Sequence, residues 1–221
     1  MRRPQSMWSL ETLGRVRLSK YFFMRPFLYS EIGSFHQIPN IPDDPNLAIA
    51  AGQGLCQNLL DPLVQTFGVI NLRSGLRSEA VNGFGNENAL NCASNANDAA
   101  GHIWDRRDAD GRMGACVSLV IPWFADQYDR GRHWHDLAWW IHDHLPYSEL
   151  RFFPKLCAFN LTWNEVPKRE IRGWIGGNSV LIRAGEDPVE PLNQREKRYA
   201  DFPPFRGCPP PVPPGGFVVP H

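Results

Sequence analysis

The stretches VINLRSGLRSEAVN (residues 69–82) and DAAGHIWD (residues 98–105) decide how this chain reads. The first is β-branched at its start, as a strand is, and then enters a tight turn that presents Arg77 and Ser78, with Asn82 closing it. The second ends in Asp105, seven residues after Asp98 and four after Gly101. A Gly/Asn-rich connection joins the two.

Upstream, residues 46–67 place Leu47, Ala50, Ala51, Leu55, Leu59, Val64 and Phe67 mostly at helical spacing, and Gly68 stops the pattern. Pro62 is positioned to break or kink that helix. The prolyl loop QIPNIPDDP offers Asp43 or Asp44 as its cap, and residues 18–35 open on Ser19 as a helix cap before an aromatic run. Residues 1–17 are polar and basic without a period, and are expected to be a flexible arm.

Downstream, ACVSLVI (115–121) is the best central strand, ended by Pro122. Residues 126–145 read as one helix with Trp134, Leu137, Trp140 and Ile141 on its aromatic face. Residues 150–163 read as one or two strands interrupted at Pro154, and residues 166–174 can supply another. Helices first and strands later give an α+β fold, a mostly antiparallel sheet flanked by N-terminal helices. The main domain is expected over residues 18–185. Residues 186–221 form a proline-rich tail, expected to be disordered or polyproline II and to serve, if anything, as a docking arm for a particle or adaptor partner.

A chain of 221 residues with 43% hydrophobic content and eight tryptophans carries one real core. Lys+Arg and Asp+Glu balance at 23 each, so no global field draws it to nucleic acid or an anionic membrane. No apolar run reaches the roughly 18 residues of a membrane span, and Met1-Arg2-Arg3 is not followed by a signal-peptide core, which points to a chain cytoplasmic as made. Five scattered cysteines never fall in CxxC spacing and argue against a thiolate metal site; Cys56, Cys116 and Cys157 sit in apolar runs as core residues.

Taken in order, LSKYF, LCQNLLDPLVQTFG, SGLRSEAVN, the Gly101/Asp105 pair and WNEV resemble the M15 family of zinc D-Ala-D-Ala peptidases. The resemblance covers roughly residues 18–169. It implies an M15/hedgehog-type peptidase fold, peptidoglycan stem peptides as partner, zinc as cofactor, and the kind of protein that phage or prophage encode and release by lysis or carry on a particle. It assigns Arg77, with Ser78 beside it, to the substrate's terminal carboxylate, which a guanidinium fork matches in shape and charge. The alternative for Arg77 is a structural ion pair with Glu79, Asp98 or another local acid.

The family's zinc pattern, SxHxxGxAxD followed much later by a Trp and a His, is only partly kept. Asp98 stands at the first His, Ala96 at the Ser and Ile103 at the Ala, while Asp105 keeps the aspartate ligand. The second His becomes Asn164 or Glu165, and the general-base slot holds Leu161 or Thr162. Two rescues stay open. Asp98, Asp105 and Glu165 would make an all-oxygen site suited to magnesium, calcium or manganese. His102 with Asp105 and Glu165 would make a shifted His/carboxylate set, with Glu165 as ligand or base. Against both, residues 105–111 also read as a solvated charged turn closed by Gly111. The histidines of RHWHDLAWWIHDH read as packing groups on a helix.

Two functions therefore stand: an M15-type metallopeptidase, or a catalytically inactive copy that binds cell wall or serves as a phage-particle part.

Overall fold

The computed structural model describes residues 1–207. Cys208 and most of the proline-rich run, with its PxxP motif, lie outside the described residues. Among those described, no helix is long and apolar enough to cross a membrane.

The chain is α+β, as the pattern of elements implies. Among the described residues six strands form one sheet: β1 (Asn71–Ser74), β2 (Gly114–Val120), β3 (Glu149–Phe152), β4 (Phe159–Asn164), β5 (Glu170–Gly173) and β6 (Ser179–Ile182). Their order is β1-β2-β4-β3-β5-β6, antiparallel throughout except where β3 meets β5. The ACVSLVI run (115–121) lies in β2, between β1 and β4, except for Ile121, which caps the next helix.

Strand alternation gives this sheet two chemically different faces. Ala115, Val117, Leu119, Leu150, Phe152, Phe159, Leu161 and Ile171 are buried in one core cluster. Cys116, Ser118, Asn160, Thr162, Glu149 and Arg151 fall in the other set, and the register sets Ser118 against Asn160 and Asn160 against Arg151.

Two helices cover the apolar face. In α3 (Pro45–Leu55), capped by the Asp44 carboxylate, Gly54 lets the Trp163 ring approach so closely that a Cβ there would stand 2.5 Å from it. Helix α8 (Trp134–His144) lays Trp134 against Phe152, ring centroids 5.0 Å apart. Pro62 does not break the long helix. A π-turn (Cys56–Leu60) precedes it and α4 (Asp61–Phe67) follows, because proline has no N–H to donate and the ladder widens, Asp61 N–H reaching Cys56 O.

Several expectations need correction. Ser19 caps no helix; its hydroxyl donates to the buried Asp61 carboxylate at 2.7 Å, a partner that carboxylate needs once out of water. A 3-10 turn (Arg25–Leu28) comes next, and the first α-helix past that point, α2 (Glu31–His36), is capped by Ser30. The N-terminal segment contains α1 (Met7–Gly14), opened by a Ser6/Ser9 capping box. Residues 126–145 are two helices, since Gly131 at φ +95° separates α7 (Pro122–Asp129) from α8.

The described part of the tail is packed. Helix α9 (Leu192–Arg198) buries Arg195 against Asp143 at 2.7 Å, Tyr199 donates to the same carboxylate, and Phe202 sits among Phe67, Trp123 and Phe124.

Candidate functional site

The polar face of the sheet is the floor of a groove with two connected recesses. A narrow one of about 180 Å³ is lined by Asp98, His102, Cys116, Glu149, Thr162 and Asn164. A wider one of about 790 Å³ is lined by Arg73, Arg77, Ser118, Arg151, Phe153 and Trp174. Ala93, Arg151 and Asn160 belong to both, so the two are one continuous groove.

The loop over residues 98–105 builds one wall. It lies beside β2 where β1 has ended: Cys116 N–H donates to Gly101 O, and the Trp104 indole donates to Cys116 O. The turn after β1 is tied to the same loop by Arg77 N–H donating to His102 O at 2.8 Å. Ala100 holds a left-handed conformation (φ +55°), rare for a residue with a Cβ, and its N–H donates to Arg106 O at 2.8 Å. Gly101 is required by contact: a Cβ there would stand 2.6 Å from the Asp98 carboxylate.

Inside this wall Arg77 and Asp98 form a largely buried ion pair, with side-chain exposures of 12% each and an Nη1–Oδ2 distance of 3.3 Å. Arg77 also donates to Asn82 Oδ1 at 3.1 Å, and the Asn82 amide is anchored on Ala93 O and Asn95. The second Asp98 oxygen accepts His102 N–H at 3.0 Å. Of the two roles open to Arg77, the ion pair is formed, while its side chain also borders the wide recess. Asp98 and His102 are brought together with it. Ser78 is a buried N-cap of α5 (Glu79–Glu87), its hydroxyl accepting from Val81 N–H, and it lines neither recess.

His102 is fully enclosed. Its Nδ1 lies 2.8 Å from Gly75 O, and a carbonyl accepts only, so Nδ1 carries the proton and Nε2 holds a lone pair. Nε2 is buried without a hydrogen-bond partner. Burial, reinforced by the Arg77 charge, pushes its pKa down to about 4.

Asp105 and Glu165 are used elsewhere. Asp105 Oδ2 accepts the N–H groups of Asp43 (2.6 Å) and Asp44 (3.3 Å), fastening the entry to α3, and burial raises its pKa despite those bonds. Glu165 is exposed, accepts Met113 N–H at 2.6 Å and faces Arg107 at 3.7 Å. Neither lines the narrow or the wide recess.

Of the slots aligned on the family's second His, Asn164 faces the groove and donates to Asp108, which receives backbone N–H bonds from Asp110 and Arg112 in the expected turn. Of the two residues aligned on the base, Thr162 lines the recess and Leu161 is core.

As arranged, the donors implied for a zinc or manganese ion do not fit one ion. Asp98 is neutralised by a guanidinium, and Asp105 and Glu165 are turned to separate backbone partners. Among the described residues no group of three or more His, Cys, Asp or Glu side chains could hold a metal. The α8 histidines have other partners: His142 Nδ1 bonds the Tyr147 hydroxyl and His144 Nδ1 donates to Trp140 O.

Sequence reading missed Arg73, Ser118, Arg151 and Asn160. The signal was present in the period-two alternation of NLTWN (160–164) and ELR (149–151), which marks a strand with one solvated face.

No family model, curated protein or solved structure matches this chain.

Proposed function

We propose that this is an M15-like protein that has kept a peptide-binding groove without the hydrolytic ion site, and that it binds D-Ala-terminated peptidoglycan stem peptides. One observation carries the reading: Asp98, which stands at the first ligand position of the family pattern, is ion-paired with Arg77 in the groove wall. A carboxylate compensated by a guanidinium has little to offer a second cation. The groove itself favours a peptide, since Ser118, Asn160 and Thr162 present side-chain donors and acceptors along its floor.

The metallopeptidase reading keeps two observations in its favour, the buried and unpartnered lone pair of His102 Nε2, a donor of the kind zinc takes, and the buried, unpartnered Asp105 Oδ1. The two are separated by incubating the protein with a synthetic pentapeptide ending in D-Ala-D-Ala, with zinc or manganese added, and following products by mass spectrometry. The peptide is expected to remain intact. Release of D-Ala that disappears in Asp98→Ala would establish the peptidase instead.

A further inference from the structure

The wide recess has a feature that the M15 resemblance does not assign. Arg73, on β1, and Arg151, on β3, both line it, and among the described residues neither side chain has an ion pair or hydrogen bond. Both are exposed. Neighbouring charges among the described residues are paired: Arg77 with Asp98, Lys168 with Glu149 at 2.7 Å, and Arg172 with Glu170 at 2.6 Å. Among the described residues the acidic side chain lining the recess is Glu31, the first residue of α2.

The register spaces the backbones that carry the two cations. Ser74, Ser118, Asn160 and Arg151 form one row across four neighbouring strands, with Arg73 at the irregularity beside Ser74. At about 4.8 Å per strand, backbones at the ends of that row are roughly 14 Å apart. Between them Ser118 donates to Asn160, leaving the Asn160 amide N–H groups to face the groove. Phe153 and Trp174 line the same recess as Arg151.

We propose that Arg73 and Arg151 form the anion-binding subsite of this groove, and that its ligand is a peptide bearing two carboxylates, laid across the strands with one carboxylate near each guanidinium. This rests on the reading of the groove as a peptide site. It moves the charge anchor from Arg77, which is committed to Asp98, to the two arginines without partners. A single carboxylate would leave one of them unsatisfied, and an uncharged peptide would use neither.

The test is isothermal calorimetry of the full chain with N-acetyl-L-alanyl-D-glutamate, its diamide, inorganic pyrophosphate and the D-Ala-terminated pentapeptide, each on wild type and on Arg73→Gln/Arg151→Gln. Both substitutions are at exposed positions, and circular dichroism with the thermal midpoint verifies the fold. The diacid is expected to bind wild type at least about tenfold more tightly than the diamide, and to lose about tenfold or more in the double variant. Equal binding of diacid and diamide, or unchanged diacid affinity in the double variant, would overturn the subsite. Pyrophosphate binding tighter than the diacid would also overturn it, marking a phosphate site. The two readings fail separately: a pentapeptide that binds both proteins equally well sinks the subsite and leaves the groove, whereas a diacid captured through Arg73 and Arg151 by a protein that ignores the pentapeptide sinks the stem-peptide reading alone.

Discussion

Arg77 reaches across from the turn after β1 to the Asp98 carboxylate at 3.3 Å, so the residue that the M15 resemblance would make the carboxylate anchor neutralises the one it would make the first metal ligand. Breaking such a pair from one side leaves a charge in a poorly solvated wall. Arg77→Ala and Asp98→Ala are each expected to cost about 3 kcal/mol or more, and Arg77→Ala/Asp98→Ala less than the two singles combined. Denaturant unfolding of the four proteins measures the coupling, and additive costs would show that the pair contributes nothing as a pair.

Gly101→Ala tests the wall's backbone. Its Cβ would press to 2.6 Å from Asp98 Oδ1 and 3.0 Å from the Asp98 carbonyl oxygen, with the carboxylate held on His102 N–H. The expected loss is about 1–3 kcal/mol, read from the shift in denaturant midpoint.

Asp105 acts here as a fastener. Asp105→Ala leaves the N–H groups of Asp43 and Asp44 without their acceptor, for an expected loss of about 1–3 kcal/mol. Adding zinc or manganese should leave that loss unchanged in thermal unfolding; a metal-dependent stabilisation of wild type that the variant lacks would place Asp105 on an ion.

The pH profile of stability follows from histidines held neutral. Burial is the first cause that brings His102, His135 and His142 down to about 4, below the value of about 6.5 for an unfolded chain. A depressed histidine contributes stability that is complete above about pH 6.5 and is lost as pH falls toward 4, because the unfolded chain takes up the proton first. Asp105, raised by burial, works in the opposite direction and offsets part of this. His102 alone gives a slope on the order of 1 kcal/mol per pH unit in that window. Unfolding at pH 4.5, 5.5 and 6.5 should show wild type losing stability with acid and His102→Gln losing distinctly less.

What could be read in the sequence was what local chemistry dictates. Asp43 and Asp44 both offered a helix cap, a role Asp44 takes, Pro154 broke a β run, and ACVSLVI lay where an interior strand was expected. Tertiary partners decided the rest. Ser19 looks like a cap until Asp61, far along the chain, takes its hydroxyl. The described part of the tail looks solvated until Asp143 supplies a buried partner for Arg195 and Tyr199. Nothing local says that Asp105 turns to the Asp43–Asp44 backbone, since that depends on where the loop after β1 meets the start of α3. Motif spacing thus located the groove wall, and the direction of each side chain within it followed from contacts no spacing encodes.

The central claim is that the groove binds a stem peptide and leaves it whole. Calorimetric titration of the full chain with the D-Ala-D-Ala pentapeptide, run with the peptide recovered and weighed by mass spectrometry, tests it most directly. The account predicts saturable binding at one site, unchanged by zinc or manganese, with the peptide recovered intact. No binding, or recovery of a peptide shortened by one D-Ala, would contradict it.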